Sequence, residues 1–271
     1  MKLTPNKLPV ALTGIFASVV ACVSAIPLGL LSDIKSSQAS PDFTYGGSNN
    51  PTRWHELDPS WAVCESGTKQ SPINLKESLL DLGGLLFSGN ITFNYQPITN
   101  PLIQNNGHTI QVNYPFPSNS TMTIAGKTYR LVQFHFHTPS EHWLNDEAAA
   151  KELHLVHQDD QGKLAVVGVF IEPGSSNSEL QTVLANMPLQ EGSTMATGTI
   201  NANNFLPPNK SYFTYNGSLT TPPCSEGVKW IVLKNPITAS QAQIDSFTDL
   251  YQVNARPIQD LNLRNIDYRE D

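Results

Sequence analysis

Gln133-Phe134-His135-Phe136-His137 alternates aromatic rings with side chains that can bind protons or metal. Strand side chains repeat with period two, so both imidazoles would stand on one face, their α-carbons about 6 to 7 Å apart, close enough to share an ion. Gln133 joins that face, and Val132, Phe134 and Phe136 are expected on the other. By itself an HxH pair is weak support for a metal site. A third histidine, His154 in Glu152-Leu153-His154-Leu155-Val156-His157, lies in another strand-like stretch and can face the first pair if the two strands are neighbours. Three neutral imidazoles suit tetrahedral zinc with the fourth position left to water, the arrangement of a catalytic rather than a structural site. Gln133 and Glu152 each precede a histidine by two. They could accept the ring N–H that does not bind metal, or they could be ordinary polar residues of a sheet surface. His157 points to the opposite face and is expected to be a buried structural histidine.

The elements that must position these groups are mostly strands. Lys127 to Thr138 alternates, while Lys151 to His157, Leu164 to Ile171 and Val228 to Leu233 are short runs of branched apolar residues, expected in the middle of a sheet. Two helices are expected. Ser240 to Tyr251 has Ile244, Phe247 and Tyr251 at helical spacing and a capping box from Ser240 and Gln243. Glu179 to Asn186 ends before Pro188. The 20 prolines and 17 glycines favour many short strands over a helical bundle. Nothing from 41 to 271 reads as a linker, so one domain is expected there.

A net charge of -7 without a basic stripe argues against nucleic acid as a partner. Residues 1 to 40 differ in kind. Lys2 and Lys7 precede an apolar run from Leu8 to Leu31, which reads as an export signal. Small residues at Ser37-Gln38-Ala39 suit cleavage; Val19-Val20-Ala21-Cys22 resembles a lipobox; the run is also long enough for an uncleaved anchor, which takes roughly 20 apolar residues. The chain is therefore expected to be exported, periplasmic or extracellular, either free or lipid- or helix-anchored. Cys64 and Cys224 are the only thiols beyond the signal, and an even pair in an exported chain favours a disulfide over two free thiols.

Taken with "QSPINL" at 70–75, "NNGH" at 105–108, "SEH" at 140–142, "LAVVGVF" at 164–170, "YNGSLTTPPCSEGVKWIVL" at 215–233 and "NARPIQ" at 254–259, these motifs make the chain resemble the alpha-class carbonic anhydrases, in an exported bacterial form. The resemblance implies a β-rich α+β fold: a single domain around a large twisted, mostly antiparallel central sheet with short peripheral helices. It implies zinc held by His135, His137 and His154, and reversible hydration of carbon dioxide to bicarbonate and a proton by zinc-hydroxide attack. Thr220 would accept a hydrogen bond from the hydroxide and donate its own to Glu141. His108 matches the proton shuttle. Val156, Val166, Leu219 and Trp230 match the apolar wall where carbon dioxide rests, with Thr221 beside it. Asn254 matches the position whose backbone carbonyl supports the second zinc histidine, and Cys64 and Cys224 match the disulfide of secreted members. Val156 shares a strand face with His154, which sets apolar surface beside the ion. An imidazole titrating near 6.5 suits His108 to export protons.

Two rival readings fit part of the pattern. The spacing His135-x-His137-x-x-x-Glu141 fits the first motif of cupin-like metal enzymes, but Tyr129 stands where that motif has glycine. A non-catalytic binding module on the same scaffold would lack one or more of the zinc histidines, and all three are present.

Overall fold

The computed structural model describes residues 42–77 and 91–271. The segment expected as export signal or anchor lies outside the described residues. Eleven strands form one sheet: β1 (Ile91–Asn94), β2 (Leu102–Asn105), β3 (Ile110–Asn113), β4 (Thr121–Ile124), β5 (Lys127–His137), β6 (Lys151–Gln158), β7 (Leu164–Pro173), β8 (Gly192–Met195), β9 (Tyr212–Ser218), β10 (Glu226–Ala239) and β11 (Asp267–Arg269). Their order is β8-β2-β3-β5-β6-β7-β10-β9-β11, with β4 pairing the start of β5 and β1 beyond β4. Within this sheet only β7 and β10 pair in parallel. Among the described residues there are four short α-helices: α1 (Trp54–Leu57), α2 (Val63–Ser66), α3 (Ser178–Asn186) and α4 (Gln241–Leu250).

The middle strands read as apolar runs because both of their faces are covered. On β6 the side chains of Leu153 and Leu155 enter the main core with Phe134, Phe136, Val167, Val169, Ile231 and Leu233, while Glu152, His154 and Val156 face the other way. The expected capping box forms: Ser240 Oγ accepts from the Gln243 N–H and Gln243 Oε1 accepts from the Ser240 N–H. It starts α4, whose Ile244 and Phe247 dock on the same core. Asn177 caps α3 through the Leu180 N–H.

The alternation on β5 does not run unbroken. Pairing with β6 jumps from Val156 opposite Gln133 to His157 opposite Leu131, leaving Val132 as a bulge. The core-facing residues are therefore Tyr129 and Leu131 before the bulge and Phe134 and Phe136 after it. Val132, expected beside Phe134 and Phe136, is only half-buried. The one-residue insertion inverts the phase, so the polar face Gln133-His135-His137 is coherent only beyond it. His157 is fully buried, as expected, with Nε2 2.9 Å from the Tyr95 hydroxyl. Burial in this apolar core lowers its pKa to about 4.

Cys64 on α2 and Cys224 in the turn after β9 form a disulfide. Trp54 and Trp61 bury around it.

Candidate metal centre

His154 on β6 lies directly opposite His135 on β5, and Glu152 opposite His137. This register brings the three histidines together, with ring centroids 5.0 Å apart for His135 and His137, 5.3 Å for His135 and His154, and 4.5 Å for His137 and His154. Each ring has one nitrogen committed elsewhere. His135 Nδ1 donates to Gln133 Oε1 at 2.8 Å, His137 Nδ1 to the Asn254 carbonyl at 2.7 Å, and His154 Nε2 to Glu152 Oε1 at 2.9 Å. The remaining nitrogens are His135 Nε2, His137 Nε2 and His154 Nδ1, and the cluster can offer one ligand atom from each ring within 4.8 Å of the others. His137 Nε2 is buried with no hydrogen-bond partner among the described residues. A buried polar atom left unpaired is costly unless something fills the gap, and three inward lone pairs on rings fixed from behind fit a zinc ion.

For two of the three rings protonation favours the same reading. Burial, reinforced by the two neighbouring imidazoles, holds His135 well below the ordinary histidine value, and burial also lowers His137. Both are thus neutral and able to bind metal near pH 7. For His154, burial works against the charge, but the Glu152 carboxylate outweighs it and the pKa is raised. Burial pushes Glu152 up, yet its two imidazole partners hold it well below the carboxylate range.

The second of those partners is His142, which no role was assigned from sequence. Its Nδ1 donates to Glu152 Oε1 at 2.8 Å, its backbone N–H donates to Oε2 at 2.8 Å, and its Nε2 accepts from the Tyr215 hydroxyl at 2.7 Å. Tyr215 in turn contacts Ser71 Oγ. His142, Glu152 and His154 also cluster tightly enough to suggest a second metal group. Their close atoms already hydrogen-bond one another, so nothing there is left for an ion. The sequence signal for His142 was only its place in the "SEH" motif.

Asn254 does more than its expected task. Its side chain donates to the carbonyls of His108 and Phe136 and accepts from the Thr138 N–H, bracketing the strand end that carries His137. Glu141 is fully buried; Oε1 accepts from the Arg256 N–H at 2.9 Å, and Oε2 lies 3.5 Å from His137 Nε2 and 3.8 Å from His154 Nδ1. Oε2 has no hydrogen-bond partner among the described residues, so the bond expected from Thr220 is not made in this structure. Arg256, another residue without an assigned role, extends its guanidinium to Gln70, the Ser71 carbonyl and the Cys64 carbonyl, tying Glu141 to the disulfide region.

The apolar residues expected beside the ion do converge. Val156, Val166 and Trp230 are successive lateral partners across β6, β7 and β10, and Leu219 packs on the same cluster. Trp230 also lies against His154, ring centroids 4.9 Å apart, and its Nε1 donates to the Ser218 carbonyl, which holds the strand end leading to Leu219, buried Thr220 and half-buried Thr221. His108 lies in the turn between β2 and β3, with its ring stacked on Phe43.

The family model for eukaryotic-type carbonic anhydrases matches residues 49–270. A carbonic anhydrase of Nostoc sp. is 44% identical over 224 residues, covering 81% of this chain and 83% of that protein. One from Neisseria gonorrhoeae is 40% identical over 221 residues, covering 81% and 85%. The solved alpha-carbonic anhydrase of Thermovibrio ammonificans, in complex with the inhibitor sulfanilamide, superposes with a TM-score of 0.78 at 38% identity over 83% of this chain and 98% of its own.

Proposed function

This chain belongs to the alpha-class, eukaryotic-type carbonic anhydrases, and from that membership we propose that it reversibly hydrates carbon dioxide to bicarbonate and a proton with one zinc ion held by His135, His137 and His154. The observation that carries the zinc assignment is the set of three inward ring nitrogens, each on an imidazole whose other nitrogen is already engaged. When bound, zinc supplies a Lewis acid that makes water nucleophilic near neutral pH.

The rest of the reaction falls to the protein. Gln133, Glu152 and the Asn254 carbonyl hold the three rings in one tautomer and one orientation. Carbon dioxide carries no charge to grip, so Val156, Val166, Leu219 and Trp230 hold it by apolar contact, with Thr221 at the edge. The Arg256 N–H fixes Glu141 through Oε1 and leaves Oε2 free to accept from the Thr220 hydroxyl, whose oxygen then accepts from the attacking water and aligns it. Each turnover yields a proton, which His108 carries outward to buffer. The Cys64–Cys224 disulfide is consistent with an exported enzyme, periplasmic or extracellular, whose first 40 residues are cleaved or kept as a lipid or helical anchor. Its partners are carbon dioxide and bicarbonate, and the net charge of -7 disfavours nucleic acid.

The test combines metal analysis of the purified protein with proton release on mixing with carbon dioxide, before and after chelation. About one zinc per chain, with activity lost to the chelator and restored by zinc, is expected. Full activity in metal-free protein would overturn the proposal.

A further inference from the structure

The turn that carries His108 is fixed from below. Asn106 Oδ1 accepts from the backbone N–H of His108 at 3.0 Å and of Thr109 at 2.9 Å, and Asn254 Nδ2 donates to the His108 carbonyl at 2.9 Å. The ring is fixed from the side by Phe43, stacked at 3.8 Å between centroids with 10° between planes. The preceding residue, Asp42, brings Oδ1 to 4.0 Å from His108 Nε2; that is beyond a hydrogen bond but well within charge attraction. The other titratable groups nearby are Glu191, whose carboxylate lies against Gly107, and Tyr251, whose hydroxyl bonds Asn105 Oδ1. Burial lowers the pKa of His108, while the carboxylates of Asp42 and Glu191 act in the opposite direction.

We propose that Asp42 is a positioning residue for proton release, its carboxylate drawing Nε2 of His108 to the solvent edge and favouring the imidazolium there, while Phe43 keeps the ring in one plane. The Nε2–H bond then breaks as a buffer base takes the proton, and His108 returns to the neutral imidazole. The side chain of Asp42 is 84% exposed against 25% for His108, so the carboxylate stands on the outward side of the ring. This inference rests on the reading of His108 as the shuttle.

The experiment compares Asp42→Asn, Asp42→Glu and His108→Ala in the full zinc-loaded enzyme. In dilute buffer, Asp42→Asn should lower kcat about two- to fivefold, the size of an exposed charge pair, with kcat/KM unchanged because proton export follows the carbon dioxide step. Titration of the His108 ring by NMR should show a lower pKa in Asp42→Asn, and Asp42→Glu should restore both. If His108→Ala slows dilute-buffer turnover while Asp42→Asn changes neither kcat nor the titration, the role of Asp42 is overturned and the shuttle stands. If His108→Ala turns over normally in dilute buffer, the shuttle reading falls and this inference falls with it.

Discussion

The Nδ1–H of His137 donates to the backbone carbonyl of Asn254 at 2.7 Å, joining residues 117 positions apart. The same asparagine, through its side chain, holds the His108 carbonyl. One residue thereby fixes a proposed zinc-ligand ring and the turn bearing the proposed proton carrier, so their spacing is set by a single rigid group.

His137→Ala removes the ring whose Nε2 is buried with no hydrogen-bond partner among the described residues. Zinc affinity should fall more than about a hundredfold, beyond what loss of a supporting residue costs, and hydration activity should nearly vanish. Metal content after dialysis and a stopped-flow assay check this; stoichiometric zinc with full activity would take His137 out of the ligand set.

In Glu152→Gln an amide replaces a carboxylate that accepts from both His154 and His142. Both imidazoles bond the same oxygen, Oε1, while Oε2 accepts from the His142 backbone N–H. An amide NH2 at Oε1 removes both imidazole acceptors, one at Oε2 faces that N–H, and in either orientation the charge is lost. Zinc affinity should drop about 10- to 100-fold while the fold survives. Competition with a chelating dye measures it, and unchanged affinity would mean that His154 needs no carboxylate behind it.

His108→Ala should slow turnover in dilute buffer by about a hundredfold, the lower range for a positioned proton carrier. Added imidazole should recover much of the rate. Unchanged turnover without rescue would mean that protons leave by another path.

Lys151 offers a test of stability. It is fully buried, with Nζ donating to Thr138 Oγ1 and Thr248 Oγ1 and lying over Phe247, and burial lowers its pKa from 10.5 to about 8. Above pH 10.5 both folded and unfolded states are neutral there. As pH falls from 10.5 to 8 the unfolded chain takes up the proton first, so stability declines, by at most about 3 kcal/mol, and stays reduced below pH 8. Lys151→Met should therefore raise stability near pH 7 by about 2 kcal/mol, after allowing about 1 kcal/mol for the Thr138 hydroxyl left without its donor. It should also flatten the rise between pH 8 and 10.5. Urea melts across that range decide it, and a variant destabilised at pH 7 would show that the two hydroxyl bonds outweigh the buried charge.

Much of the candidate metal centre was legible along the chain. Period-two alternation places His135, His137 and Gln133 on one face, and Glu152 with His154 and Val156 on another, because strand geometry is local and adjacent side chains must point apart. The same locality made the α4 capping box readable, since its partners are three residues apart. Local alternation failed at Val132, where a bulge inverts the phase of β5; a bulge is set by how the partner strand pairs, and β6 is separated from it by a whole connection.

Only the tertiary structure decided what stands opposite what. Registering β5 against β6 sets His154 across from His135, and long-range contact brings Asn254 behind His137, His142 behind Glu152, and Asp42 and Phe43 against His108. Residue types and their spacing determine which groups share a face, because that follows from backbone sterics over a few residues. Which faces then meet depends on burying the apolar sides of many strands at once, and that is settled by the packing of the whole domain.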